Sequence, residues 1–311
     1  MYGRILIPID GGPYTVRTAC YGLEFARALG SEVTFLHVVQ NPATGVYGWP
    51  GGAAYLGDLV GALRAAGGRF LDEAKAQAAA RGVPCAALML EDDRPAHAIL
   101  EAESAHDLTV MATHSRRGLD RLLLGSVTEA VLRRSDKPHL VVRADDEAAA
   151  EPAAEPPAFK RLFFPTDGSP CSEHALGEAV ALAKALGAEL TLFHALEVPV
   201  TVYTMVESAV YDPGVRQEAH KAAQAFLEKA KAQADAAGVP ASVRLADRLK
   251  PQAHPHELVA EAERDFDLTV MGTHGRQGFE RAFLGSVTER VLRRSEAAHL
   301  VVHCREAGTA G

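Results

Sequence analysis

A glycine-rich pattern near the end of the chain has the residue types and the spacing of an anion-binding loop. Gly272 and Gly275 are separated by two residues, and Gly285-Ser286 follow after nine more. Glycine permits a left-handed backbone and leaves main-chain N–H groups open to an anion. Ser286 opens a predicted helix, whose unpaired N–H groups and dipole favour negative charge at the same place. The pattern therefore predicts a phosphate site.

The helix start also has a purely structural interpretation. Ser286-Val287-Thr288-Glu289 reads S-x-x-E, the signature of a capping box that stabilises a helix without any ligand. The same signature occurs at Ser126 to Glu129. Gly285-Ser286 alone leaves both interpretations open, whereas the upstream Gly-x-x-Gly favours phosphate because a cap does not need it.

An acidic residue is expected beside this loop. Asp167 directly follows the apolar run "LFFPT", and the glycine pattern directly follows the apolar run "LTVM". Ligands of open parallel sheets bind beyond the carboxyl ends of strands where the winding direction reverses. If these two runs form neighbouring strands, Asp167 shares a crevice with the loop and can accept hydrogen bonds from ribose hydroxyls or an exocyclic amine.

The glycine-loop segment occurs twice. Between Asp107–Ser135 and Asp267–Ser295, at an offset of 160 residues, 21 of 29 positions are identical. The first copy keeps Gly125 and Ser126 but has Ala112 and Ser115 at the positions of the two loop glycines. A Cβ crowds the anion, and a non-glycine in a left-handed backbone costs on the order of 1 kcal/mol. We therefore expect the principal nucleotide site in the second half and a weak or empty site, around Asp10, Gly125 and Ser126, in the first.

The elements that position these residues alternate between strand and helix in each half. Short apolar runs such as "GRILIPID" and "KRLFFPTD" are typical of strands buried on both faces, and amphipathic stretches follow them. The helix after the second run is expected to end with Gly187 as its C-cap. Long helices are expected near Leu59–Arg81 and Val215–Ala237. Five strands alternating with four helices require crossover connections, so each half is predicted to be an α/β domain with a doubly wound parallel sheet.

A composition shift marks the boundary between the halves. Residues 146–158 are rich in Ala, Glu and Pro without hydrophobic periodicity, which is typical of a linker. The sequence thus predicts domains at 1–145 and 159–311. Two segments near Asn41–Gly57 and Glu197–Pro213 are interpreted as packed loops, with closure over a ligand or partner recognition as the alternative.

The charge balance excludes some partners. The 311 residues carry a formal net charge of −8, so we expect no binding to nucleic acid or to an anionic membrane. No signal-peptide pattern or apolar run of about 18 residues is present, and the four cysteines form no CxxC pair, which predicts a cytoplasmic protein. Cys171 is expected to be a small buried apolar side chain, with a reactive thiol at a helix start as the alternative.

A cluster of imidazole and carboxylate groups occurs at Ala253–Glu257, which reads "AHPHE". It lacks a fourth ligand and the H-x-x-x-H spacing of a helical zinc site, so no metal site is predicted.

The glycine pattern, the preceding "DLTVM", the following "HLVV" and the strand-end Asp167 together resemble the ATP-binding motif of the universal stress protein family. The resemblance covers both halves and is similar to tandem, two-domain members. It implies two Rossmann-like domains of the adenine nucleotide alpha hydrolase-like type, related by a pseudo-twofold axis. It also implies that the last strands, at His139–Val142 and His299–Val302, pair within the chain and hide two sheet edges.

Carried over by position, the resemblance implies a set of ATP contacts in the second half. The adenosine would be held by Pro165, Thr166, Asp167, Ala195 and Met271. The phosphates, with Mg²⁺ between their oxygens, would be held by Gly272, His274, Gly275, Arg276, Gly285, Ser286 and Val287. His274 has an equal alternative as a side chain that anchors the loop.

The expected function is that of an ATP-binding regulatory protein of the stress response. The chain has no Walker A sequence and no nucleophile elbow, so little or no turnover is expected. One alternative is a slow ATPase or a nucleotidyl- or phosphoryl-transfer enzyme on the same fold, using Asp167 or His274. The other is a scaffold that has lost nucleotide binding. A further homodimer and an unidentified protein partner are left open.

Overall fold

A computed structural model of the chain shows two compact units, Met1–Ala158 and Phe159–Gly311. The structure describes residues 1–12, 14–40, 52–115, 124–145, 158–196, 213–247, 254–273 and 284–304. Most of the predicted linker therefore lies outside the described residues. None of the helices in the described ranges combines the length and the apolar character that a membrane span requires.

The first unit is a five-stranded parallel sheet with the strand order β3-β2-β1-β4-β5. Its strands are β1 (Arg4–Pro8), β2 (Glu32–Val39), β3 (Cys85–Glu91), β4 (Leu108–Ser115) and β5 (His139–Asp145). Its helices are α1 (Thr15–Leu29), α2 (Gly52–Ala80), α3 (Pro95–Glu103) and α4 (Ser126–Leu132). The order reverses between β1 and β4, as in a doubly wound fold.

The second unit repeats this plan with the strand order β10-β9-β6-β7-β8. Its strands are β6 (Arg161–Pro165), β7 (Glu189–Leu196), β8 (Ala241–Asp247), β9 (Leu268–Gly272) and β10 (His299–Val302). Its helices are α5 (Pro170–Leu186), α6 (Pro213–Ala236), α7 (Pro255–Ala262) and α8 (Ser286–Arg294), with a 3₁₀ turn at Glu263–Asp265. The predicted fold class is thus confirmed in both halves.

The apolar runs form central strands because both faces of the sheet are covered. In β6 the three residues Leu162, Phe163 and Phe164 are fully buried, and Phe163 lies in a core cluster with Phe193 and Val259. Transfer of such side chains from water stabilises the fold by roughly 1.5–3 kcal/mol each. At the end of α5, Gly187 adopts a left-handed φ of 58°, and its N–H donates to carbonyls of the last turn. The predicted helix end is therefore confirmed.

Two expectations about local structure need correction. Helix α2 begins at Gly52, seven residues before the predicted start, so the end of the glycine-rich segment near Asn41–Gly57 is helical instead of a loop. Residues 41–51 of that segment, and residues 197–212 of its counterpart, lie outside the described residues. Periodicity missed the extra turns of α2 because small glycine and alanine residues carry little hydrophobic pattern.

A buried histidine–glutamate pair lies at the amino-terminal end of the last strand in each unit. His139 Nε2 lies 2.8 Å from a carboxylate oxygen of Glu103, and His299 Nε2 lies 3.0 Å from one of Glu263. Ser135 donates to Glu103, and Thr269 donates to Glu263, both at 2.7 Å. Because buried carboxylates are costly without partners, these hydrogen bonds make the pairs a structural feature of the fold.

Candidate functional site

Asp167, Ala195 and Thr273 lie at or just beyond the carboxyl ends of three neighbouring strands of the second unit. Strand β6 lies between β9 and β7, with Phe163 opposite Thr269 and Pro165 opposite Phe193. Asp167 lies two residues beyond the end of β6, Thr273 directly follows β9, and Ala195 is the second-last residue of β7. Neighbouring strands are about 4.8 Å apart, so these positions border one crevice at the switch point of the sheet.

The turn after β6 holds Asp167 in a defined orientation. Its Oδ1 accepts a 3.0 Å hydrogen bond from the Ser169 N–H, which closes a short side-chain turn. The intervening Gly168 has a left-handed φ of 73°. In the first unit, Asp10 Oδ1 accepts from the Gly12 N–H at 2.8 Å and from the Thr15 hydroxyl at 2.9 Å. The strand-end carboxylate is therefore fixed in the same way in both halves.

A buried histidine supports this turn from β7, and sequence reasoning did not single it out. His194 Nδ1 lies 2.7 Å from the carbonyl oxygen of Thr166, so Nδ1 carries the proton and donates to that carbonyl. The ring also makes an edge contact with Phe226 on α6. His37 makes the equivalent 2.8 Å contact with the Ile9 carbonyl in the first unit. The sequence contained a signal for this role, because both β2 and β7 have a histidine at this position.

Gly272, at the end of β9, is constrained by packing instead of by its dihedral angles. It is absent from the residues with positive φ in the described ranges, so the left-handed backbone considered from the sequence does not arise there. A Cβ at this position would lie 2.9 Å from the Sγ of Cys171 and 3.7 Å from the Cβ of Ala175. The missing side chain therefore makes room for the start of α5.

The sulfur that occupies this space belongs to a disulfide. Cys171, in the first turn of α5, is bonded to Cys304, which follows β10, with a Cα–Cα distance of 5.2 Å. The expectation that Cys171 is a small buried apolar side chain is wrong, because the residue is only half-buried and is cross-linked. Because the two cysteines are 133 residues apart in the sequence, no cysteine-spacing rule predicts the pair.

Thr273 connects β9 to the start of α8. Its carbonyl accepts a 2.6 Å hydrogen bond from the Gly285 N–H, and its own N–H donates to the Val302 carbonyl at 2.9 Å. These contacts bring the two ends of the glycine loop together. Thr273 lies between two predicted phosphate contacts, yet the sequence pattern assigned it no role.

The S-x-x-E segment does not form the capping box that served as the structural alternative. The N-cap of α8 is Gly285, one residue earlier than expected, and it has no side chain to cap the first turn. Glu289 instead accepts hydrogen bonds from Arg293 at 2.8 and 3.1 Å. Ser286 and Val287 are exposed at the first turn. Among the described residues, no side chain caps the mouth of α8 and competes there with an anion.

The remaining predicted contacts divide into three groups. Pro165 is half-buried and Thr166 is buried, with its hydroxyl 2.5 Å from that of Ser172. The Met271 side chain is 4% exposed and packs in the core with Phe163. The other loop positions lie outside the described residues: His274, Gly275 and Arg276.

The counterpart positions of the first unit keep part of this framework. Gly125 is the N-cap of α4, and Ser126 is its first residue. Ala112 lies in β4 at the position of Gly272, and β4 continues to Ser115, whereas β9 ends at Gly272. The strand thus extends through the positions where the second unit has its glycine loop.

The imidazole cluster before α7 has a structural role. Glu257 accepts hydrogen bonds from the His254 N–H at 3.1 Å and from Arg294 at 2.9 Å. These two hydrogen bonds lower the pKa of Glu257 below its ordinary value. His254 and His256 stack with ring centroids 5.4 Å apart. The segment therefore ties the start of α7 to α8.

Comparisons with known proteins agree with this architecture. The model of the "Universal stress protein family" matches twice, over residues 1–143 and 158–303. A universal stress protein of Mycobacterium tuberculosis is 28% identical over 302 residues, which cover 93% of this chain and 92% of that protein. One of Mycolicibacterium smegmatis is 25% identical and covers 98% of both chains.

A solved structure supports the fold along the whole chain. A universal stress protein from Archaeoglobus fulgidus superimposes with a TM-score of 0.70 at 19% identity, covering 97% of this chain and 99% of that one. At this identity the likeness supports the fold alone. Together with the two family matches, which span nearly the entire sequence, it shows that the chain is a tandem member of the universal stress protein family.

Proposed function

We propose that the protein binds ATP in its second unit and acts as a regulatory protein in the stress response. The observation that carries this proposal is the crevice at the switch point of the second sheet. Asp167 and Thr273 follow the neighbouring strands β6 and β9, and a 2.6 Å hydrogen bond joins Thr273 to the N-cap of α8. A carboxylate and the amino-terminal end of a helix thus follow the two strands that flank the switch point.

The residues present fit an adenine nucleotide. Asp167 is half-buried and oriented by its turn, which suits it to accept from ribose hydroxyls. Ser286 and Val287 supply main-chain amides at the mouth of a nine-residue helix, while the Gly285 N–H donates to the Thr273 carbonyl. The buried Met271 side chain belongs to the core, so a nucleotide contact at this position would use its backbone.

Mg²⁺ is proposed to bind through the phosphates. The described residues contain no group of three or more His, Cys, Asp or Glu side chains placed to hold a metal ion. Magnesium commonly keeps several waters and binds through substrate phosphates with few protein ligands. The ion would therefore enter with the nucleotide, between phosphate oxygens that the glycine loop holds.

We propose further that the first unit binds nucleotide weakly or not at all. It keeps the Asp10 turn and the Gly125 N-cap, yet Ala112 and Ser115 stand at the loop glycines. This unit would then be a structural partner, with domains at 1–145 and 159–311, a linker at 146–158 and pairing of the two last strands. The proposal also places the protein in the cytoplasm, with little or no turnover of ATP.

Isothermal titration of the full chain with MgATP tests the site. We expect one site per chain, and we expect Gly275→Val to weaken binding at least about tenfold, which needs only 1.4 kcal/mol. Ser115→Val, the matched change in the first unit, should leave the affinity unchanged. Equal effects of both variants, or no binding by the wild type at millimolar MgATP, would refute the proposal.

Two further measurements complete the test. Adenine nucleotide that co-purifies should raise the absorbance at 260 nm, because the chain has a single Trp and seven Tyr. Mass spectrometry of the released ligand distinguishes ATP from ADP or AMP. Phosphate release above the spontaneous background, lost in Asp167→Asn, would instead favour a slow ATPase.

A further inference from the structure

We propose that Cys171 and Cys304 form a reversible dithiol–disulfide couple that controls the position of Thr273 and the mouth of α8 and, through them, the affinity for nucleotide. The second part of this inference rests on the proposed function. Both cysteines are half-buried and therefore accessible to small thiols and disulfides. Their Cα atoms are 5.2 Å apart, within the usual range for a disulfide.

The position of the disulfide connects it to both sides of the crevice. Cys171 follows β6 and the turn that orients Asp167, and Cys304 follows β10. Strands β6 and β10 are the two neighbours of β9. The cross-link therefore joins the elements on either side of the strand from which the glycine loop starts, and its Cys171 sulfur occupies the space beside Gly272.

Thr273 transmits the state of the cross-link to the mouth of α8. Its hydroxyl accepts the Cys304 N–H at 3.4 Å and donates to the Cys304 sulfur at 3.7 Å. Its carbonyl holds the Gly285 N–H, at the proposed phosphate end of the site. A chain of direct contacts thus runs from the disulfide through Thr273 to the N-cap of α8.

The two halves of the chain differ in this feature as they differ in the glycine loop. Tyr14 stands at the position of Cys171, and Ala144 stands at the position of Cys304. The cysteine pair therefore occurs only in the unit that also has both loop glycines. A disulfide that controls the nucleotide site has to lie in the same unit as that site, and the cysteine pair does.

The chemistry is thiol–disulfide exchange with a low-molecular-weight disulfide of the glutathione type. Cys171 lies in the first turn of α5, where the helix dipole favours its thiolate. This thiolate attacks a sulfur of the small disulfide, forms a mixed disulfide and releases one small thiol. The Cys304 thiolate then attacks the Cys171 sulfur and releases the second small thiol. Two protein thiols lose two electrons and two protons, and one small disulfide becomes two thiols.

The direction of the effect follows from preorganisation. The disulfide holds Thr273 and the start of α5 in one arrangement, so the oxidised protein loses less conformational entropy when it binds a nucleotide. Coupling between two sites commonly changes affinity by about 5- to 150-fold. We therefore expect MgATP to bind at least about fivefold more tightly to the oxidised protein than to the reduced one.

The experiment uses the full chain equilibrated with oxidised glutathione or with dithiothreitol. Alkylation and peptide mass spectrometry should show Cys171 and Cys304 blocked together after oxidation and modified together after reduction without denaturant. Amide exchange at Thr273 and Gly285 should be faster in the reduced protein. Cysteines that never pair, or that require denaturant for reduction, overturn the inference, as does identical exchange in the two states.

Titration with MgATP then tests the coupling. Cys171→Ser and Cys304→Ser should each bind like the reduced wild type in either buffer, while Cys85→Ser, in the first unit, should retain the full redox response. The same Kd in both redox states of the wild type overturns the coupling. Absence of binding in both states refutes the proposed function instead, and the alkylation and exchange results still decide whether the redox couple exists.

Discussion

The hydroxyl of Thr288 donates a 2.8 Å hydrogen bond to the carbonyl oxygen of Gly272 and so ties the first turn of the last helix to the end of β9. Thr128 makes the same contact, at 2.7 Å, with the carbonyl of Ala112 in the first unit. Both threonines are buried. The repeated "SVTE" segment therefore keeps the final helix in register with the fourth strand of its sheet, whereas the sequence had offered a capping box as one interpretation of this segment.

Thr288→Val should reduce the free energy of unfolding by about 1 kcal/mol, because it removes one hydrogen bond and leaves a buried carbonyl unpaired. It should also weaken MgATP binding, since the N-cap of α8 loses its anchor. Urea denaturation and titration calorimetry measure the two effects. Thr128→Val is the matched control and should show the loss of stability with unchanged affinity. A loss of affinity in both variants would contradict the proposed asymmetry of the two units.

Gly272→Ala should destabilise the protein by about 1–3 kcal/mol, the usual cost of adding a methyl group to a packed site. The reason is the 2.9 Å approach of the new Cβ to the Cys171 sulfur. Thermal unfolding checks this, and Cys171→Ala in the same chain should restore most of the loss. Gly177→Ala, where a Cβ meets nothing within 4 Å, is the control and should be neutral or stabilising. No rescue by Cys171→Ala would show that the crowding has another source.

Gly168→Ala should cost on the order of 1 kcal/mol because its φ of 73° is unfavourable for any residue with a Cβ. The added Cβ would also lie 3.2 Å from the ring of Phe226. Since this turn orients Asp167, the variant should bind MgATP less tightly as well. Gly11→Ala, at the matching φ of 75°, should affect stability alone. Unchanged affinity in Gly168→Ala would argue against a role for Asp167.

The buried pairs predict acid sensitivity. Burial raises the pKa of Glu263, but the charge of His299 and hydrogen bonds from His299, Ser295 and Thr269 outweigh burial and hold this pKa below its ordinary value. A glutamate with a lowered folded pKa contributes stability that is complete above its unfolded pKa, about 4.3, and is lost as the pH falls through the folded value. The contribution of Glu263 to the free energy of unfolding should therefore be independent of pH above about pH 5 and should decrease below pH 4.3.

Glu263→Gln tests this dependence. It should lower the free energy of unfolding at pH 7 by about 1.5–3 kcal/mol, since hydrogen bonds to a charged group are replaced. The variant should also lose part of the decline below pH 4.3. Urea midpoints between pH 7 and 3.5 give both quantities, and Glu296→Gln at an exposed position is the control. If Glu263→Gln has the same pH profile as the wild type, the Glu263–His299 pair does not cause the loss of stability in acid.

Sequence patterns predicted the fold well because they act locally. Gly187 ends α5 as expected, and the apolar run ending at Pro165 forms a buried strand, since both depend on neighbouring residues along the chain. Asp167 could be placed at a strand end for the same reason. The pairing of β6 with β9, which makes Asp167 and Thr273 follow neighbouring strands, required the structure.

Features that depend on tertiary contacts were missed or misread. Cys171 and Cys304 meet only after the sheet has formed, and no spacing rule connects them. Gly272 was interpreted through its backbone freedom, although the neighbouring sulfur explains the absent side chain. Helix α8 begins at Ser286 as predicted, but Gly285 takes the N-cap and Glu289 pairs with Arg293, so the S-x-x-E segment forms no capping box. For the cysteines and for Gly272, a partner that is distant in the sequence overrides the local signature.

The glutamate–histidine pair recurs nearly unchanged in the two units, with 2.8 and 3.0 Å contacts, at the amino-terminal rim of each sheet. The opposite rim differs between the units in its glycines and its cysteines. The two units are thus alike at the amino-terminal rim of the sheet and differ at the carboxyl-terminal rim. The second unit therefore has its glycine loop and its cysteine pair on a frame that folds like that of the first unit.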